Sequence, residues 1–383
     1  MKSKVNIVLL LLFIVLASSC DVYNTMRFSA LPNQRSSSHF PKRKIENQSP
    51  IFKFIKPNKD YNLGNLIGLT NKSLNPANVA LDSFVKLHNT VSFLIIRNDT
   101  ILYEKYNGKY KDTSLVSSFS MVKPMLSTLI GIAVSEGKIK SIDNPITDYL
   151  SEFNDKPGFD KITVKNLLQH TSGIKFTDQE FNIVSDNAEF YWGHDLRKEM
   201  SDLTIQSPPN TVFHYSSANT QLLALILERV TNKPISNYLE TKLWKPLGME
   251  APAYWSLDKE GENSMEKAFC CLQARAIDFA KFGRLYLKNG NWEGNQIVPK
   301  DWIKTATHSD PTNNNRHFYN YNWGIGPLKY NSFYAVGLYG QYLYIYPEKN
   351  IQIVRFGDSS LSYNPNYWQD IFIQIIDQLD SLK

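Results

Sequence analysis

The stretch Ser120-Met121-Val122-Lys123-Pro124 opens an apolar run that continues to Glu136 and stops at Gly137. The run is apolar on nearly every side, which predicts a buried helix over Pro124–Glu136, ended by Gly137. Proline fits only near a helix start, because it lacks a donor and its ring clashes one turn back. Ser120 therefore falls at or near the first turn. Residues three apart share a helix face, so the Ser120 hydroxyl and the Lys123 amine can meet. The positive helix end and a desolvated setting both favour a neutral amine. Such an amine can take the proton of a serine hydroxyl, and a backbone N–H at the helix start can face an oxyanion.

Outward from this helix the chain changes character at both ends. Upstream, the β-rich runs Phe93–Ile96 and Thr100–Tyr103 flank Arg97-Asn98-Asp99, a hairpin signal. Downstream, Tyr342–Tyr346 and Ile351–Phe356 flank Pro347-Glu348-Lys349-Asn350, a second hairpin. Residues 366–382 carry Trp368, Ile371, Ile375, Ile376 and Leu379 at helical spacing. Between the hairpins, Gln221–Val230 and Ala276–Leu287 also read as helices. The pattern predicts an α+β fold: one antiparallel sheet built from N- and C-terminal strands, with flanking helices and a helical insertion.

Two further stretches hold candidate chemistry. Tyr215-Ser216-Ser217 precedes a helical segment, and a phenol poised over Ser120 could relay a proton to a leaving group. Tyr334-Ala335-Val336-Gly337-Leu338-Tyr339-Gly340-Gln341 runs into the last hairpin, where glycines let backbone approach a substrate closely. His170 and His214 invite a Ser-His-Asp reading, but no Gly-x-Ser-x-Gly elbow is present. Neither a Cys-x-x-Cys nor a His-Glu-x-x-His spacing occurs, so neither a metal nor another cofactor is expected.

Ser-x-x-Lys is the nucleophile motif of penicillin-binding proteins and class A β-lactamases. Over residues 85–383 the chain most resembles class C β-lactamases and their relatives: carboxylesterases, D-aminopeptidases and 6-aminohexanoate-dimer hydrolases. The resemblance rests on Ser120–Lys123 with Gly131-Ile132-Ala133, on the stretch from Ile162 to Gly173 containing Gln169-His170-Thr171-Ser172-Gly173, on Lys245-Pro246-Leu247-Gly248-Met249 and on the Pro347–Asn350 hairpin. It implies Ser120 as nucleophile, Lys123 as activating amine and Tyr215 as catalytic phenol. Ser217 stands where class C enzymes usually carry asparagine. Their Lys-Thr-Gly is replaced by Ser332-Phe333-Tyr334, which removes a cation for a substrate carboxylate and weakens a β-lactam assignment. The same count puts Ala335 at the second oxyanion N–H, with Gly337 beside it. Trp192, His194 and Trp323 are expected to line a substrate pocket.

The implied activity is hydrolysis of an ester or amide through an acyl-Ser120 intermediate, on a small-molecule or peptide substrate. Esterase or amidase activity ranks ahead of D-amino-acid peptide hydrolysis, and that ahead of β-lactam hydrolysis. The competing reading is a non-catalytic sensor of cell-wall peptide or β-lactam on the same fold.

The 383 residues are 42% hydrophobic and carry a net charge of +6. Lys2 and Lys4, with eight basic and three acidic residues over 21–60, account for the excess; the remainder holds 32 basic and 33 acidic residues. A near-neutral body argues against nucleic-acid binding. The basic tail either lies against an anionic membrane surface or is a solvated linker. Residues 1–20 combine a charged start, the apolar run Val5–Ala17 and Ser18-Ser19-Cys20, which reads as a signal peptide of bacterial lipoprotein type with Cys20 lipidated. This places the protein in the bacterial cell envelope, anchored outside the cytoplasmic membrane. Residues 21–75, rich in Pro, Ser and Asn, read as a flexible tether, and residues 76–383 as the hydrolase domain. Cys270 and Cys271 are adjacent, and neighbouring cysteines rarely bridge, so both are expected as buried packing residues.

Overall fold

In the computed structural model the described residues are 32–70, 78–179, 182, 184–310, 318–358 and 365–381. The expected leader, Cys20 and residues 21–31 of the expected tether lie outside them.

Seven antiparallel strands form the main sheet, and both ends of the chain supply them. In chain order these are β2 (Thr90–Arg97), β3 (Thr100–Tyr106), β7 (Tyr319–Asn320), β8 (Trp323–Ile325), β9 (Phe333–Gly337), β10 (Gln341–Tyr346) and β11 (Ile351–Gly357); their spatial order is β7-β8-β9-β10-β11-β2-β3. The β2–β3 hairpin closes on Asn98 and Asp99, both at positive φ, as a two-residue turn matching the strand twist requires. Asn350, also at positive φ, turns the chain into β11, and its side-chain amide donates to Asn98 Oδ1 at 2.8 Å. The two hairpin turns thus meet, and β11 pairs with β2 from Ile351 opposite Arg97 onward.

Strand side chains alternate between faces. Phe93, Ile95, Tyr342, Tyr344 and Ile353 pack with helices α1 (Leu81–Leu87) and α5 (Pro365–Ser381). Leu94, Ile96, Leu343, Ile345 and Val354 join the larger core on the other face, which holds α2 (Lys123–Ser135), α3 (Ser217–Thr231) and α4 (Ala276–Leu287). Helix α4 lies close on the sheet because Gly283 has no side chain; a Cβ there would come within 2.8 Å of Leu343 and nearer still to Gln352. The fold is the α+β arrangement expected, with the helical insertion between the two strand groups.

A second, four-stranded antiparallel sheet corrects the expected tether. Its order is β1 (Lys42–Ile45), β5 (Ala253–Ser256), β6 (Leu272–Ala274) and β4 (Val116–Ser117). Strand β1 lies inside the segment assigned as flexible, so the ordered body begins by residue 32 and not at 76. Phe40, Ile45 and Phe54 are buried in the main core; Phe40 sits 5.4 Å from Tyr191 and 5.6 Å from Trp192. Three widely spaced apolar anchors seat this strap in the core.

Candidate active site

The chain leaves β4 through a tight turn and enters α2 by a short 3-10 segment, Phe119–Val122. Phe119 has φ of 45°, a left-handed conformation rare for a bulky residue and one that the surroundings must hold in place. Gly337 at the end of β9 contributes: a Cβ there would lie 2.4 Å from Ser118 O and 3.1 Å from Met121 N. Only a glycine lets this strand backbone run against the turn. Pro124 occupies the start of α2, where its missing N–H costs nothing.

Ser120 is half-buried in this turn, and Lys123 is buried one helical step on. Lys123 Nζ donates to Ser120 Oγ at 2.9 Å and to the Phe269 carbonyl at 2.9 Å. It also lies 4.9 Å from the centre of the Tyr215 ring. Three elements therefore deliver the serine, the amine and the phenol to one place: the Phe119–Val122 turn, α2 and the residue pair ahead of α3.

His170 fixes the phenol's surroundings. Its ring stacks on Tyr215 at 4.7 Å and 21°, and Tyr319 meets Tyr215 edge-on at 6.0 Å. His170 Nδ1 accepts from the Ser216 N–H at 3.0 Å and from the Asn219 amide at 3.2 Å, while Nε2 donates to Asn322 Oδ1 at 2.9 Å. Both nitrogens are committed in the neutral form. Burial, with the Lys123 cation adding to it, pushes the His170 pKa down to about 3. This histidine stacks beside the phenol as a neutral ring. His214 Nε2 donates to the Phe176 carbonyl.

The structure adds Asp178. Its carboxylate accepts the Ser217 N–H at 2.6 Å and the Ser217 hydroxyl, at the first turn of α3 where a negative charge is favoured. Burial raises its pKa above the ordinary aspartate value; Lys123, close enough to be felt, and Ser217 pull it back. Nothing in local spacing marks Asp178; its place in the long 174–210 loop was the only sign. Ser217 thus commits its N–H and hydroxyl to Asp178.

The other expected substrate residues separate. Gly337 abuts the nucleophile's turn. Ala335 lies two residues along β9, opposite Leu343, with its side chain in the main core. Trp323 is corrected: it is fully buried between Phe282, Tyr286 and Phe333 and lines no cleft. Its side chain leaves β8 on the face that packs against α4. Trp192 is buried under Phe40, and His194 is exposed with Nδ1 near the Asp258 carbonyl. Cys270 and Cys271 are buried as expected, but the expectation that they stay unbridged is corrected. They are joined by a disulfide, and Cys271 has φ of 73°, a local turn that brings adjacent sulfurs together. The bridge directly follows Phe269, whose carbonyl holds Lys123. Among the described residues no group of three or more His, Cys, Asp or Glu is arranged to hold a metal ion.

An α+β body with serine, lysine and tyrosine gathered at a helix start defines a protein of the serine β-lactamase and penicillin-binding type. The family model described as Beta-lactamase matches residues 84–362, and the chain belongs to that family. It is similar to the 6-aminohexanoate-dimer hydrolase of Paenarthrobacter ureafaciens, 25% identical over 286 residues, covering 70% of this chain and 72% of that one. A Bacillus anthracis protein provisionally named a 6-aminohexanoate-dimer hydrolase shares the fold with a TM-score of 0.79 at 22% identity, over 91% of this chain and 93% of that one. A class C β-lactamase Tyr-to-Phe mutant shares it at 0.56 and 16% identity, over 78% and 95%. Hydrolases thus dominate the relatives, and the family is of serine-hydrolase type.

Proposed function

We propose that this protein hydrolyses a small amide through a covalent acyl-Ser120 intermediate. The observation that carries the reading is the 2.9 Å contact between Lys123 Nζ and Ser120 Oγ inside a buried helix start. In the acylation step Lys123, as the neutral amine, takes the Ser120 proton while Oγ bonds to the carbonyl carbon. The oxyanion is met by backbone N–H groups of the Ser120 turn and of the adjoining end of β9. Collapse breaks the C–N bond; Tyr215 gives its proton to the departing amine and regains one from the Lys123 ammonium, which returns to the neutral amine. Water then adds to the acyl-enzyme and releases the acid.

Two features support an amide bearing a cationic group over a β-lactam. Asp178 places a carboxylate at the Ser217 end of α3, within electrostatic reach of Lys123. The strand and turn that face Ser120, residues 333–340, carry no lysine or arginine to hold a substrate carboxylate. The Paenarthrobacter relative, named for hydrolysis of an amino-acid dimer, fits this preference. A panel of amides, esters and β-lactams, each amide with a free and an acetylated amine, tests it. The reading expects turnover of free-amine amides, weakened by acetylation and by Asp178→Asn. Equal turnover of both forms would remove the Asp178 preference; the absence of any Ser120 adduct would remove the mechanism.

The envelope location is part of the proposal. Cys20 would carry lipid and hold the body outside the cytoplasmic membrane, where a single acyl chain anchors only marginally and several chains anchor stably. No helix of the described residues is long and apolar enough to cross a membrane. Fractionation of the native source decides: wild type in the membrane fraction, Cys20→Ser released or unprocessed. A soluble cytoplasmic wild type with its leader intact would overturn the location.

A further inference from the structure

The strap, described from residue 32 onward, lies upstream of the family match, which begins at residue 84. It nevertheless touches both backbone stretches that border Ser120. The Gln34 side-chain amide accepts the Ser117 N–H at 2.8 Å and donates to the Ser117 carbonyl at 3.4 Å and to the Gly357 carbonyl at 3.2 Å. Ser117 belongs to β4, the outer strand of the four-stranded sheet. Its neighbour Ser118 points its N–H inward, to the Leu272 carbonyl at 2.9 Å, so the Ser117 N–H and C=O face outward. An edge strand presents such groups unpaired. Gln34 fills both, a side chain imitating one residue of a further strand.

Only Ser118 and Phe119 separate this clamp from Ser120, and Phe119 is the residue in the left-handed conformation. The third contact fastens the clamp to β11, because the Gly357 carbonyl also accepts from Gln341 Nε2 at 3.0 Å. Two residues upstream, the Pro32 carbonyl accepts from the Tyr339 hydroxyl, and the Tyr339 ring meets Phe119 edge-on at 5.6 Å. The strap therefore ties the turn carrying the nucleophile to the Gly337–Gly340 turn facing it. Phe40, seated against Tyr191 and Trp192, anchors its downstream end.

We infer that Gln34 is a positioning residue for Ser120: clamping Ser117 to Gly357, it holds the strained Phe119 turn and the nucleophile in register with β9. This rests on the reading of Ser120 as nucleophile. A displacement of about an ångström at a reacting atom costs roughly a hundredfold in rate. The consequence should appear in the acylation rate and not in substrate affinity.

The test uses the full mature chain and the rate at which a fluorophosphonate probe labels Ser120, followed by intact mass and scaled to the folded fraction from circular dichroism. Gln34→Met keeps the shape and removes all three hydrogen bonds; labelling should slow by roughly ten- to a hundredfold. Gln34→Glu keeps the acceptor for the Ser117 N–H and loses both donations, so a smaller loss is expected. Lys44→Ala, on the exposed side of the same strap, should label at the wild-type rate. With a turned-over substrate, kcat should fall in the Gln34 variants at unchanged KM. Wild-type labelling by folded Gln34→Met, or a loss that only mirrors the unfolded fraction, would overturn the inference while leaving the nucleophile in place. A label that persists in Ser120→Ala is a distinct result: it removes the nucleophile, and this inference with it.

Discussion

Three lysines are buried among the described residues, Lys123 on α2, Lys281 on α4 and Lys267, and the neighbours of Lys123 and Lys281 differ in kind. Lys281 lies 3.6 Å from Asp278 and 3.5 Å from Glu250, and it donates to the Gly248 carbonyl at 2.8 Å. Burial draws its pKa down and the two carboxylates push back; Asp278, held up by burial against the pull of Lys281, is raised to about 6. Lys123 makes its short contacts with a hydroxyl, a carbonyl and the face of a phenol ring, with Asp178 felt at longer range. A lysine flanked by carboxylates is fixed as a cation and serves packing. A lysine held at 2.9 Å from a serine hydroxyl is placed to exchange a proton with it.

Breaking the chemical side should give the largest effect. Ser120→Ala should abolish adduct formation with an acylating substrate while the circular dichroism spectrum stays unchanged, since the change is small and half-exposed. An adduct that persists would remove Ser120. Next, Lys123→Arg should be nearly as damaging as Lys123→Ala, both lowering kcat by roughly a hundred- to ten-thousandfold, because a guanidinium accepts no proton. Substantial turnover by the arginine variant would make Lys123 an electrostatic partner only. Tyr215→Phe should then lower kcat, by less, at an unchanged KM; a raised KM with normal kcat would make it a binding residue.

The packing side should answer in stability. Lys281→Met leaves Asp278 and Glu250 without their cation and should cost about 3 kcal/mol in urea unfolding, while the folded enzyme turns over at the wild-type rate. A drop in specific activity would erase the contrast between the two lysines. A second stability effect, read as a pH profile, concerns His170. Its folded pKa of about 3 lies below the ordinary histidine value of 6.5, so the unfolded chain binds more protons between these limits. Its contribution to stability is complete above pH 6.5 and declines as pH falls toward 3, by at most about 1.4 kcal/mol per pH unit. His170→Asn should flatten that part of the stability profile, read as unfolding midpoints from pH 4 to 7. An unchanged slope would mean that His170 is already protonated in the fold.

Where local signals were strong, the sequence was readable. Asn98-Asp99 between two β-branched runs could only be a tight hairpin, and Ala276–Leu287 is a helix over those same residues. Pro124 after Lys123 located a helix start. The strap was misjudged because β1, Lys-Arg-Lys-Ile, buries only Ile45, and the partners of its charges, Gln273 and Glu266, lie far along the chain. Trp323 failed for a related reason: an aromatic near the site resembles a pocket residue until the strand's facing is known. Asp178 reaches its place through a long loop, and no periodicity encodes where a loop returns. The Cys270–Cys271 bridge depended on a backbone turn that residue types alone do not specify.

The pairing of β2 with β11 bears on how the molecule is made. The hairpin β2–β3 is synthesised early, and the strand that covers its open edge is nearly the last segment of the chain, with Phe93 opposite Arg355. Contacts between residues so distant in sequence close slowly, because loop entropy is lost before any contact is gained. The main sheet cannot be completed until the C-terminal strands are available. For the same reason the loss of even the last hairpin would leave two apolar half-sheets with exposed edges, a species prone to aggregate rather than a shorter enzyme.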